Sequence, residues 1–218
     1  NGWLVSGSEA ELDWDYVVLQ EQSQIPGFPE DNADRLQSLE SVEVLSSVIR
    51  DLDAVVVLLM TWGYREGDPL NLSLFPDYLT MQEMLADGYR MMVDRAQSVG
   101  AETLLVPVGL AFQQVYVDEL EAGNDPADPE SVFWGLYSAD GHHPGLEGSY
   151  LAANVLIAAM TRMRVDTFSY APAGIEAERA AYLRHVAQQA VEAGPCGVCP
   201  ESEPICNPET AHCVACIV

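Results

Sequence analysis

Ala54 to Met60 reads AVVVLLM, a continuous apolar run of strand length. Runs of that kind fit a strand covered on both faces, as in a parallel sheet. Two others share its character: Asp15–Leu19 (DYVVL) and Thr103–Val106 (TLLV), the latter stopped by Pro107. Helix-length segments lie between and after them. From about Ala33 to Asp51, Leu36, Leu39, Val42, Leu45, Val48 and Ile49 recur at helical spacing. A long helix is predicted from about Asp77 to Ser98, with Gly100 as its stop. Further helices are predicted over Leu110–Glu121, Gly145–Arg164 and Gly174–Ala193, with Pro144 opening the first turn of the second. Strands alternating with helices of this length mean βαβ units and an α/β fold.

At 218 residues the chain is long enough for one such domain and an appendage. We place the α/β domain over residues 1–193 and a Cys-rich tail over 194–218. The tail reads C-x2-C-x6-C-x6-C-x2-C, through Cys196, Cys199, Cys206, Cys213 and Cys216. Two C-x2-C pairs can hold zinc, but the spacing between them is short for a ribbon. A disulfide-stapled module of an exported protein is the preferred reading, which places the protein outside the cell or on its surface.

Thirty-four acidic residues face nine basic ones, all Arg, for a net charge of −25. That surface repels nucleic acid and anionic membrane. The longest apolar run, Tyr150 to Met160, contains Asn154 and is too short to span a bilayer. No secretory signal is visible, and the chain opens at Asn1-Gly2-Trp3 without an initiator Met, so export is left open.

In an open parallel sheet, ligands bind beyond the carboxyl ends of the strands. Gln20–Gln24, Thr61–Arg65 and the loop holding Asp140 and His143 are expected there. Within Ser138-Ala139-Asp140-Gly141-His142-His143-Pro144, a carboxylate three residues before an imidazole can take one ring nitrogen and leave the other facing a cleft. That is how a general base is oriented. An ordinary Asp-Gly turn with a helix cap has the same sequence. The amides of Gln20 and Gln22 could donate to a developing oxyanion, a contribution of roughly 3–4 kcal/mol for one good donor, or serve only to stabilise a turn.

Three stretches together, WDYVVLQEQSQ (14–24), LLMTWGYREGDP (58–69) and LYSADGHHPGLEGSYLAA (136–153), resemble the SGNH, or GDSL-like, hydrolases, in the branch carrying LQEQS where others have G-x-N-D. The resemblance spans about residues 14 to 164. It implies a flavodoxin-like three-layer α/β/α fold and a serine esterase acting on small or carbohydrate-linked esters, with no cofactor. His143 would be the base and Asp140 its orienting acid. Gln22 would stand where the family has its oxyanion Asn, and Gln20 where a Gly is usual. Trp62 would wall the acyl or sugar site, and His142 would be a surface or packing residue.

The family's nucleophilic Ser lies in a G-D-S or G-N-S motif after the first strand. No such motif precedes Trp14; Ser6 and Ser8 in Val5-Ser6-Gly7-Ser8 do not match it. The chain therefore reads as lacking the family's first two strands and its nucleophile, with Ser23 a remote substitute in the slot of another motif. In the order 2-1-3-4-5 the missing first strand would pair with Asp15–Leu19, leaving that strand with an open apolar edge. Two other readings compete. One is a surface or binding protein that has lost catalysis and works through its Cys-rich module. The other, ranked lower, is metal-dependent hydrolysis by Asp140, His142 and His143, since adjacent imidazoles point to different sides of most backbones.

Overall fold

The computed structural model describes residues 13–194 together with two short strands, 205–207 and 212–214. Three parallel strands, β1 (Tyr16–Leu19), β2 (Val55–Leu59) and β3 (Thr103–Val106), form one sheet in the order β1-β2-β3. Tyr16 is in register with Val55 and Val56 with Thr103, so the three strands end at a common rim. Helices α1 (Ala33–Arg50) and α2 (Tyr78–Ser98) cover one face. Helices α3 (Val108–Glu121), α5 (Leu146–Thr161) and α6 (Ala177–Ala193) cover the other, and a single turn, α4 (Val132–Gly135), precedes α5. This is the three-layer α/β/α arrangement expected from the alternation of elements.

The unbroken AVVVLLM run follows from its central position. Val57 and Leu59 pack towards α3, α5 and α6, whereas Val56 and Leu58 pack towards α1 and α2. A strand buried on both faces has no position left for a polar side chain. Full burial of each such side chain is worth about 1.5–3 kcal/mol. Side-chain caps set the starts of two helices. The Asn32 side chain accepts from the N–H groups of Asp34 and Arg35 at 2.9 and 3.2 Å, and Asp77 accepts from Thr80 N–H at 2.8 Å. Each cap contributes about 1 kcal/mol.

β1 is bonded to β2 along one side only, and its other side meets no strand among the described residues. Tyr16 and Val18 alternate outward, with Val18 46% exposed. The open apolar edge expected for this strand is therefore present in the described sheet. The Tyr16 hydroxyl donates to the Met160 carbonyl at 3.1 Å, tying the edge strand to α5.

Several local expectations need correction. Pro144 does not open α5. It bridges Tyr137 in a small antiparallel turn, and Gly145 is the N-cap. The chain must enter the helix here by passing close to Tyr137, whose carbonyl oxygen would lie 3.0 Å from a Cβ on Gly145. The same helix ends at Thr161, short of Arg164, because Arg162 turns left-handed with φ 57°. Residues 25–27 form a single 3-10 turn. In the tail, β4 (Ile205–Asn207) and β5 (His212–Val214) pair antiparallel with Cys206 opposite Cys213. Cys196, Cys199 and Cys216 lie outside the described residues, as do Ser6 and Ser8. Among the described residues no helix is long and apolar enough to cross a membrane.

Candidate active site

The turn between α4 and α5 is built around one carboxylate. Asp140 Oδ1 accepts from Ser138 Oγ at 2.8 Å and from the backbone N–H groups of His142 and His143, both at 2.9 Å. Its Oδ2 lies 2.7 Å from Nδ1 of His143. Gly141 makes the turn possible with φ 71°, a conformation that a Cβ would strain. The His143 ring, then the two N–H groups and the Ser138 hydroxyl, hold the Asp140 carboxyl well below the usual carboxylate range. An ionised partner at Nδ1 keeps the proton on that nitrogen and leaves the Nε2 lone pair outward. The His143 side chain is 81% exposed, so Nε2 faces solvent at the rim of the sheet. Among the described residues no hydroxyl or thiol hydrogen-bonds to it.

Four consecutive residues beyond β2 hold this turn in place. Trp62 Nε1 donates to the His142 carbonyl at 3.1 Å. The Gly63 carbonyl accepts from the Tyr137 hydroxyl at 2.7 Å. Tyr64 stacks on the His142 ring, with centroids 3.9 Å apart and 17° between planes. Arg65 N–H donates to the Gly141 carbonyl at 2.9 Å, while its buried guanidinium lies 3.4 Å over the Trp134 ring. His142 is thus occupied in packing. Trp62 is half-buried beside the turn, stacked on Phe112 at 4.8 Å.

The loop after β1 reaches the same rim. Gln20 is exposed at its start. The Ser23 side chain lies beside Tyr64, the residue that carries His142, so the loop and the Asp140–His143 turn approach one another at one phenol ring. Gln22 donates through Nε2 to Gln24 Oε1, and Gln24 Nε2 donates to Asp68 at 3.2 Å. Tyr64, Arg65, Asp68 and Trp134 were not singled out from the sequence. Their only signal there was position, three of them just beyond a buried strand.

Among the described residues no group of three or more His, Cys, Asp or Glu side chains could hold a metal ion. A cavity of about 870 Å³ runs along the outer side of β3, lined by Leu104, Leu105, Arg162 and Gln188 among others. None of its lining residues belongs to the loops that carry the acid and imidazole, and we do not assign the chemistry to it.

No protein-family model matches the chain, and no curated protein does. Two solved structures are similar to it. A DUF4886 family protein from Bacteroides uniformis superposes with a TM-score of 0.63 at 21% identity, over 83% of this chain and 63% of that one. A protein from Slackia heliotrinireducens, described as a candidate SGNH hydrolase, is 30% identical with a TM-score of 0.48, over 67% of this chain and 66% of that one. The chain spans less than two thirds of either. The first likeness agrees with the fold described above.

Proposed function

We propose that this chain carries the acid–base half of an SGNH-type serine esterase acting on small or carbohydrate-linked esters. The attacking hydroxyl comes, in this reading, from outside residues 13–194. The observation that carries it is the 2.7 Å contact between Asp140 and His143 Nδ1 on a turn at the carboxyl end of the sheet, with Nε2 directed outward. His143 Nε2 takes the proton from the attacking hydroxyl and returns it to the leaving alcohol, which is the role of a general base that becomes a general acid. Asp140 stabilises the imidazolium formed between those steps and stays ionised throughout. The amides of Gln22 and Gln20 supply donors to the tetrahedral oxyanion, and Trp62 and Ser23 border the substrate.

The reading is tested with p-nitrophenyl acetate. The 218-residue chain is expected to give negligible turnover, and a longer gene product that adds an upstream strand and serine is expected to restore it. His143→Ala in that longer product should abolish turnover. Robust hydrolysis by the 218-residue chain that disappears in Ser23→Ala would overturn the assignment of the nucleophile. A longer product with no His143-dependent turnover would favour a binding protein that has lost catalysis.

A further inference from the structure

A carboxylate can only accept hydrogen bonds, and Asp68 stands behind two amides in series. It is 1% exposed. Its Oδ1 accepts from Leu70 N–H at 2.9 Å, and its Oδ2 from Asn71 Nδ2 at 2.7 Å and Gln24 Nε2 at 3.2 Å. Facing an anion, the Gln24 carboxamide must present its N–H₂ group, which turns Oε1 away from Asp68. There Oε1 accepts from Nε2 of Gln22. The Gln22 Oε1 in turn faces the backbone N–H of Gln24 at 3.4 Å. Nitrogen and oxygen of both amides are therefore assigned by the charge at the start of the series.

Asp68 is itself fixed by the backbone. Its N–H donates to the Phe75 carbonyl at 3.0 Å. The preceding Gly67 has φ 80°, and a Cβ there would come within 2.5 Å of the same carbonyl oxygen. Burial pushes the Asp68 carboxyl up, but the bonds from Asn71, Leu70 and Gln24 outweigh burial and hold it below the usual range. The anion is the form that the loop encloses.

The geometry points to Asp68 as a positioning residue that, through Gln24, locks the Gln22 amide as a donor at the rim of the sheet. One Nε2 hydrogen of Gln22 goes to Gln24 and the other is left for an oxygen of the substrate, a use that rests on the esterase reading.

The side-chain amide resonances of Gln22 and Gln24 in the ¹⁵N-labelled chain test this, assigned through Gln22→Ala and Gln24→Ala. The Gln22 pair is expected away from the position of free glutamine, and to move to it in both Asp68→Asn and Gln24→Leu. In Gln24→Leu the backbone amides of Leu70 and Asn71 should stay in place, which a general loosening of the loop would not allow. If Asp68→Asn does not fold, Asp68→Ser reads the same resonance with a smaller neutral side chain. A Gln22 pair at the free position in the unaltered chain, or one unmoved by loss of the Asp68 charge, overturns the relay. If the relay resonances respond but Gln22→Ala leaves ester turnover of the longer product unchanged, the relay stands and the oxyanion role of Gln22 falls.

Discussion

Asp140→Asn separates the two jobs of the central carboxylate. Oδ1 holds the turn through three contacts, from Ser138 Oγ and the N–H groups of His142 and His143. Oδ2 makes the single contact to the imidazole, at 2.7 Å. An asparagine keeps an acceptor for the first three and replaces the fourth with an N–H₂ donor, which a ring Nδ1–H cannot use. The ring must present a bare Nδ1 to that donor, placing its proton on Nε2, where a general base would need a lone pair. In the Ser-His-Asp proteases the equivalent change lowers kcat about 10⁴-fold for this reason, and under the proposed esterase reading a drop of about that size is expected for the longer gene product. The 218-residue chain permits a measurement without turnover. At a pH where titration shows the ring neutral, the ¹⁵N shifts of His143 should report the Nδ1–H tautomer, and the Nε2–H tautomer in Asp140→Asn. Backbone amides of His142 and His143 should stay near their positions in Asp140→Asn and move in Asp140→Ala. An unchanged ring tautomer, or turnover by the longer product within tenfold of its unaltered form, would refute the reasoning.

Acid should weaken the fold in a direction set by two carboxyls. Asp140 and Asp68 are both held below their ordinary range, so the folded chain binds fewer protons than the unfolded one at mildly acidic pH. Their stabilisation is complete above about pH 4 and is lost as pH falls further, so a thermal-melting series from pH 6 to 3 should fall more steeply for the unaltered chain than for Asp140→Asn. Gly148→Ala would place a Cβ 2.1 Å from the Leu136 carbonyl oxygen, at the start of α5. Relief of that clash should destabilise by about 1–3 kcal/mol and lower Tm by about 2–12 °C, read by calorimetry. Val18→Lys, at a 46% exposed position on the edge strand, should reduce concentration-dependent association in sedimentation velocity. A chain that is monomeric and melts cooperatively before the substitution would mean that this edge is covered.

The order of strands and helices was legible in the sequence because it depends on local periodicity. β3 runs from Thr103 to Val106 as expected, and α1 starts at Ala33, where Asn32 supplies the cap. The Asp140–His143 pair was legible for the same reason, since a three-residue spacing on an Asp-Gly turn leaves little freedom. Pro144 was misplaced because its neighbour in space, Tyr137, is paired across the turn and not along the helix. Tertiary structure alone decided what surrounds the pair at the rim. Gln24 and Asp68 are 44 residues apart and meet only because β1 and β2 lie side by side in parallel and release their loops at one rim. The same holds for Tyr64 and His142, which stack although 78 residues separate them in sequence. Hydrogen bonds between loops depend on where a packed sheet delivers its strand ends. No pattern within a single segment encodes that.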